Sequence, residues 1–188
     1  MFAGNIGEAQ SVETIIYAAN ELKNYPDIRF HIVGDGSSRN KCEALAKELG
    51  LTNVVFYGQH PITEMPRFYE MADAFLVTLK ASKFISYTLP NKVQSYMAAG
   101  KPIIGAIDGE TQEVIKEADC GMVVSAEDYK GLAACILKFV REKEMQPVFA
   151  RNARSYYDKH YSKETYMRKL NQLFDRIHKG VECQYVQG

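Results

Sequence analysis

The sequence predicts an α/β fold: a doubly wound parallel sheet with helices on both faces, followed by C-terminal helices. Two observations predict it. Short apolar runs alternate with amphipathic helical patterns along most of the chain, as in folds built from strand–helix–strand units. Glycine-containing loops follow several of these runs, at the sheet edge where such folds bind ligands. With 188 residues, 46% of them hydrophobic, the chain can bury one substantial core.

The apolar runs define the predicted strands. Residues 1–3 resemble the end of a strand whose beginning is missing, which is typical of a piece of a longer protein. The later runs are short and rich in β-branched and aromatic residues, as strands are. They predict strands at 29–33, 54–57, 74–77, 102–105 and 122–124.

Helices are predicted where apolar residues recur at intervals of three and four positions. In the first helix, Val12, Ile15, Ile16, Ala19 and Leu22 share one face. The same spacing predicts helices at 12–22, 37–49, 65–71, 91–99, 110–117 and 128–140.

After residue 140 the chain carries helical patterns only, at 146–157 and 162–177. Ser162 is the predicted N-cap of the second helix. We therefore divide the chain into a Rossmann-like domain at 1–145, C-terminal helices packing on it at 146–179, and a frayed tail at 180–188.

Composition excludes several functional classes. Lys and Arg together number 23, as do Asp and Glu, so net charge gives no argument for nucleic-acid binding. The four cysteines form no C-x-x-C pair and no zinc-like spacing with histidine. Scattered free thiols indicate a reducing compartment, and we expect a cytoplasmic protein. No Asp-x-Asp motif is present, so no metal or cofactor is expected.

The segment 88–104 predicts an anion site. Pro90 suits the first turn of a helix and Gly100 its end. A helix start offers free N–H groups and the positive end of the dipole, which favour an anion. Lys92 is a cation in that first turn, where its charge opposes the helix dipole. A bound phosphate therefore explains the presence of this lysine better than helix stability does. The local sequence also permits an ordinary helix start with a solvated lysine.

Three other loops follow predicted strands. The first, 4–7, contains two glycines that allow either close ligand approach or a tight turn. The second, 34–39, begins G-x-G but has Arg39 where a dinucleotide site needs its third glycine, which disfavours NAD. The third, 108–113, carries three carboxylates that suit either sugar hydroxyls or a helix start. His31 is expected to pack within a strand, and His60 is a weak candidate.

Taken together, these motifs resemble the C-terminal, nucleotide-sugar-binding domain of glycosyltransferase family 4. These are retaining enzymes with two Rossmann-like domains facing across a cleft. The motifs occur in the family's order, and the resemblance covers residues 2 to about 177. They are G-N-I-G at 4–7, V-G-D-G at 33–36, V-x-F-x-G at 54–58, P-N-K-V-Q-S-Y-M-A-A-G-K-P-I-I at 90–104 and C-G-M-V-V at 120–124.

The resemblance implies a transferase that uses a nucleotide sugar, with a UDP-sugar favoured. The diphosphate would lie between the first loop and the helix start, the base near Gly58, and the sugar near 108–112. Lys92 and Glu110 are the implied catalytic residues. The implied binding residues are Gly4, Asn5, Gly7, Gly36, Arg39, Gly58, Leu89, Pro90, Asn91, Val93 and Ser95.

The sequence departs from the family pattern at three places. Ser95 and Tyr87 occupy positions where many members have glutamates, and residues 7–10 lack the family's usual arginine and lysine. These departures resemble a subgroup acting on amino or deoxyamino sugars in bacterial surface polysaccharide. In that case Lys92 supplies the cation that the first loop lacks.

An acceptor glycan or lipid-linked sugar would bind an N-terminal domain that precedes this chain, with peripheral membrane contact expected of the full-length protein.

Two alternative functions stay open. One is half of a UDP-sugar 2-epimerase, whose carboxylates are split between domains and in which Glu110 or Glu113 could serve. The other is a non-catalytic ligand-sensing domain.

Overall fold

The computed structural model describes the backbone of residues 1–185 and the side chains of residues 1–84 and 86–178. Six strands alternate with helices in this part of the chain. The strands are β1 (Phe2–Ala3), β2 (Phe30–Val33), β3 (Val54–Gly58), β4 (Phe75–Thr78), β5 (Ile103–Ala106) and β6 (Gly121–Val124). The helices are α1 (Val12–Glu21), α2 (Arg39–Glu48), α3 (Met65–Met71), α4 (Asn91–Ala98), α5 (Glu110–Glu117), α6 (Tyr129–Arg141), α7 (Met145–His160) and α8 (Lys163–Tyr185).

All strand pairs are parallel. β1, β2 and β3 form one half of the sheet, and β4, β5 and β6 form the other. Two backbone hydrogen bonds join the halves: Met1 N donates to Ala74 O (2.8 Å) and Leu76 N donates to Met1 O (2.7 Å). The resulting order, β3-β2-β1-β4-β5-β6, is that of doubly wound nucleotide-binding folds. The predicted fold class is confirmed, and its topological switch point lies between β1 and β4.

Each face of the sheet has its own apolar core. On one face α1 and α6 pack together, burying Ile15, Ile16 and Leu132 completely. On the other face α4 packs between α7 and the sheet, burying Val93 and Met97 completely. These buried positions follow the three- and four-residue spacing that predicted the helices. Helices therefore cover both faces, as expected.

The C-terminal helices differ most from expectation. The predicted Ser162 cap is confirmed, because Ser162 Oγ accepts a hydrogen bond from Thr165 N (3.2 Å). However, α8 continues to Tyr185, through 180–185, which the sequence pattern assigned to a tail. The helix continues through Gly180, since a glycine costs a helix only about 1 kcal/mol. The rest of the predicted tail, 186–188, lies outside the described residues.

Three short 3₁₀ helices, Glu8–Gln10, Ile62–Glu64 and Ile85–Tyr87, lie in loops at the carboxyl edge of the sheet. One turn is too short to produce a periodic pattern, so the sequence did not predict them. Within the part of the chain that the structure describes, no helix has both the length and the apolar content needed to cross a membrane.

Candidate functional site

A cavity of about 660 Å³ opens at the carboxyl ends of β1, β2 and β3. Its volume is within the range of small-molecule sites. Three predicted binding residues, Gly4, Asn5 and Gly36, line it. The remaining lining residues are Ala3, Val33, Gly34, Asp35, Gln59, His60, Ile62, Met65 and Tyr69.

The loops after β1 and β2 interlock beside this cavity. Gly4 N donates to Val33 O (2.9 Å), and Ile6 N donates to Asp35 O (2.8 Å). Gly34 has φ of 135°, and a Cβ there would lie 1.9 Å from Gly4 O. A side chain at Gly34 would therefore push the two loops apart, so this glycine fixes the shape of the cavity wall.

Lys92, from α4, contacts Gly4 without itself lining the cavity. A Cβ built on Gly4 would lie 3.2 Å from both Cε and Nζ of Lys92. The ammonium donates to Gln10 Oε1 (2.5 Å) and lies 4.1 Å from the centroid of the Phe2 ring. These contacts bring together the two loops that the sequence assigned to a diphosphate.

The Lys92 ammonium is a partly buried cation, and its described partners are neutral. Burial lowers its pKa from 10.5 to about 8, because desolvation disfavours the charged form. Among the residues with described side chains, no carboxylate oxygen lies within 4.0 Å of Lys92 Nζ. A buried charge is stable only when compensated, so this arrangement favours an anionic ligand.

Tyr96 fixes α4 against β1. Its hydroxyl donates to Ala3 O (2.8 Å) and accepts from Ala3 N (2.9 Å). Its ring stacks on Phe75 with centroids 3.9 Å apart. Lys92 is four positions before Tyr96 and so lies on the same helix face. The buried tyrosine thus directs the first turn of α4 toward the Gly4 loop.

The first turn of α4 has no side-chain cap. Pro90 is the N-cap residue, and its carbonyl accepts from Val93 N (2.9 Å). Leu89 and Pro90 are half-buried, and Asn91 is exposed. The predicted contact residue Val93 instead has a fully buried side chain, and its amide closes the turn. Val93 therefore supports the helix start from within the core.

Ser95 lies beside a different cleft. That cleft, about 550 Å³, runs between α3 and α4 and is lined by Pro66, Tyr69 and Ser95 among others. Ser95 Oγ donates to Asn91 O (3.3 Å). Tyr69 lines both cavities and separates Ser95 from the Gly4 wall.

Arg39 and Gly58, both implied binding residues, lie close together. Arg39 Nη1 would lie 3.3 Å from a Cβ built on Gly58. The guanidinium is also paired with Glu43 (2.8 Å) and Asp35 (3.6 Å). These two carboxylates leave it less suited than Lys92 to bind an anion.

Glu110 begins α5 and is exposed. The neighbouring Thr111 Oγ1 donates to Thr88 O (2.8 Å), which ties the α5 start to the loop before α4. Asp108, also expected near a sugar, accepts a hydrogen bond from Ala126 N (3.2 Å) and so holds the loop before α6. Glu110 and Glu113 both lie exposed in the first turn of α5, and Glu113 pairs with Lys116 (3.3 Å).

Of the two histidines considered from the sequence, His31 lies within a strand and His60 lies at the cavity. His31 lies within β2, half-buried, with Nδ1 2.8 Å from the Tyr57 hydroxyl. His60 lines the cavity, but its ring nitrogens contact Glu64 Oε2 (2.8 Å) and Tyr57 O (3.2 Å). In the described part of the chain, no three His, Cys, Asp or Glu residues are grouped so that they could hold a metal.

Sequence reasoning missed two residues that shape the site, Gln10 and Tyr96. Gln10 was noted only as standing where a basic residue is usual, and its contact with Lys92 spans 82 positions. Tyr96 could have been found from its spacing, because a residue four positions after a candidate ligand shares its helix face.

Comparison with known proteins gives matches to glycosyltransferases. The family model described as glycosyl transferases group 1 matches residues 1–156. WcaI of Escherichia coli (strain K12), which carries the name of a colanic acid biosynthesis glycosyl transferase, is 28% identical over 178 residues, covering 90% of this chain and 41% of WcaI. WbjE of Pseudomonas aeruginosa, named as a glycosyltransferase, is 30% identical over 137 residues, covering 72% of this chain and 34% of WbjE.

Solved structures share the fold. The crystal structure of Anabaena Alr3699/HepE in complex with UDP has a TM-score of 0.81 at 17% identity, covering 93% of this chain and 48% of that one. The chain spans less than half the length of each of these relatives.

Proposed function

Because the chain belongs to the glycosyl transferases group 1 family, we propose that it is the donor-binding domain of a glycosyltransferase that uses a UDP-sugar. One observation carries the proposal: the Lys92 ammonium is partly buried beside Gly4, and its partners among the described residues, Gln10 and Phe2, are neutral. A diphosphate between Gly4 and the start of α4 would supply the missing negative charge. The UDP bound to HepE, which has the same fold, supports the choice of nucleotide.

In this proposal the anomeric carbon of the donor loses its bond to the diphosphate and gains one to an acceptor hydroxyl oxygen. The proton of that hydroxyl leaves with the diphosphate or with solvent, and configuration is retained. Negative charge develops on the departing phosphate. Lys92 and the uncapped first turn of α4 are fixed before the reaction, so they stabilise that charge without reorganising. Glu110 would accept hydrogen bonds from the donor sugar.

The acceptor would bind a second domain. This is supported by the relatives, since the chain covers 41% of WcaI and 34% of WbjE. On this view the chain alone binds the donor without efficient turnover. The name of WcaI supports a role in bacterial surface polysaccharide synthesis.

Calorimetric titration of the folded chain with UDP, UMP and uridine tests the proposal. We expect UDP to bind more tightly than UMP, and UMP more tightly than uridine. Lys92→Ala should weaken UDP binding by about 10- to 150-fold, since a hydrogen bond to a charged group contributes about 1.5–3 kcal/mol.

Lys138→Ala is the matched control, because Lys138 is an exposed lysine of α6, 4.0 Å from Glu142. It removes the same charge and should leave UDP binding unchanged. Absence of UDP binding by the parent chain, or equal binding by Lys92→Ala, would contradict the proposal.

A further inference from the structure

We propose that Gln10 is a positioning residue, whose side-chain carbonyl holds the Lys92 ammonium over the Gly4 loop until a diphosphate takes it. The inference rests on the proposed function. It concerns how a site without a basic residue in its first loop keeps a cation in place.

The backbone of Gln10 is fixed from two sides. Its amide donates to Gly7 O (3.1 Å), which closes the 3₁₀ helix Glu8–Gln10. Its carbonyl accepts a hydrogen bond from the hydroxyl of the fully buried Thr78 (2.6 Å). Residue 10 is therefore attached to the end of β4, and its side chain extends from a rigid base.

A second contact attaches the same segment to the strand end. Lys80 N donates to Ala9 O (3.0 Å), and Lys80 Nζ pairs with Glu8 Oε1 (2.6 Å). The first loop is thus held across the switch point by one side-chain hydroxyl, one backbone amide and one ion pair. This anchoring keeps Gln10 Oε1 at the place where Lys92 Nζ arrives from α4.

The chemistry of an amide suits this task. An apolar residue would leave the buried ammonium with the Phe2 ring as its remaining partner among those described. A carboxylate would pair with Lys92 and would also repel the diphosphate. The glutamine carbonyl accepts a hydrogen bond from the ammonium without neutralising it, so the charge remains available to a ligand.

Other charged groups around Lys92 are already paired or distant. Glu8, on the first loop, is paired with Lys80, and its carboxylate makes no ion pair with Lys92 among the described side chains. Asp35, on the loop after β2, pairs with Arg39. On α7, Arg154 contacts the opposite end of α4 at Ala98 O (3.0 Å) and pairs with Asp158. On α4 itself, the one other titratable side chain is that of Tyr96, which is bonded to Ala3.

The test is a pH series of UDP titrations, from pH 6.5 to 9.5, on the parent chain, Gln10→Ala and Gln10→Glu. For the parent we expect affinity to fall about tenfold between pH 7 and 9, because Lys92 loses its proton near pH 8. Gln10→Ala should bind about 3- to 10-fold more weakly at pH 7, with the midpoint of the pH profile shifted downward. Gln10→Glu should bind more weakly still, with the midpoint shifted upward.

Gln146→Ala is the control, since Gln146 makes a comparable side-chain bond to Phe139 O (2.9 Å) far from the site. It should leave both affinity and midpoint unchanged. If Gln10→Ala fails to fold, Gln10→Met replaces it, since methionine keeps the length and removes the acceptor. It is expected to behave as Gln10→Ala, and a midpoint equal to that of the parent would contradict the inference.

The outcomes separate the two proposals. If the parent does not bind UDP at any pH, the proposed function fails. If the parent binds and Lys92→Ala weakens binding, while both Gln10 variants keep the parent's midpoint, the Gln10 inference alone is overturned.

Discussion

The Lys92 ammonium has a pKa lowered by desolvation, so we expect its charge to oppose folding of the unliganded chain. In the unfolded chain its pKa is that of an ordinary lysine, 10.5, and in the folded protein it is about 8. Between these values the unfolded chain binds a proton that the folded protein has released, so this group makes stability rise with pH. At pH 7 the buried ammonium costs the folded state about 3 kcal/mol.

Lys92→Met should therefore stabilise the unliganded chain at pH 7. We expect the free energy of unfolding to rise by up to about 3 kcal/mol, and the gain to fall below about 1 kcal/mol at pH 10. Urea denaturation at both pH values measures this. Lys138→Met, at an exposed position, should give no pH-dependent difference. A destabilised Lys92→Met would show that the lysine side chain supports the fold.

At the scale of residues, the sequence predicted what local rules determine. The uncapped turn after Pro90 and the position of Lys92 follow from proline and helix-dipole chemistry. The partner of Lys92 could not be predicted, because Gln10 is 82 positions away and its place depends on Thr78 in another strand. Val93, which the resemblance implied as a binding residue, has its side chain in the core and its amide within the first turn of α4.

Among the elements, α4 has two roles that one tyrosine connects. Its buried face covers the sheet through Val93, Tyr96 and Met97, and its first turn borders the proposed diphosphate site. The Tyr96 hydroxyl satisfies both backbone groups of Ala3. The placement of the site therefore depends on a hydrogen bond inside the core.

Tyr96→Phe should lower the free energy of unfolding by about 1–3 kcal/mol, because it leaves a buried N–H and C=O of Ala3 unpaired. Thermal denaturation measures the loss, and UDP affinity should fall as the start of α4 becomes less fixed. Tyr166→Phe is the matched control on exposed surface, 63% accessible, and should change neither value. Equal stability of Tyr96→Phe and the parent would contradict this role.

Apart from the C-terminal end of α8, elements with several turns or a clear apolar run were predicted within a few residues of their observed ends. The 3₁₀ helix Glu8–Gln10 was not, although it carries the partner of Lys92. Its conformation depends on bonds to β4 and Lys80 that no local pattern encodes. The sequence could thus predict the scaffold of the site but not the short segment that completes it.

For the whole molecule, the apolar side chains that stabilise the core and those that are exposed lie on different helices. Tyr166, Leu173, Phe174 and Ile177 of α8 are each more than half exposed. Phe149 of α7, by contrast, is 6% exposed and belongs to the core beneath α1 and α6. The described part of α8 therefore contributes little apolar burial to this domain.

Leu173→Ala should change the free energy of unfolding by less than about 0.5 kcal/mol, as surface substitutions usually do. Phe149→Ala should cost about 3–5 kcal/mol, as expected for a buried phenylalanine. Urea denaturation of the two variants compares them directly. A loss above 1 kcal/mol for Leu173→Ala would show that α8 packs on the domain more closely than the structure indicates.

The sheet consists of two triplets of strands, with two backbone bonds at Met1 between them. Gly4 follows a strand of one triplet, and α4 with its lysine follows a strand of the other. A pyrophosphate touching both would act as a reversible crosslink. Nucleotide occupancy would then slow deuterium uptake at the Leu76 amide, and the rigidity of this domain would report whether its donor is bound.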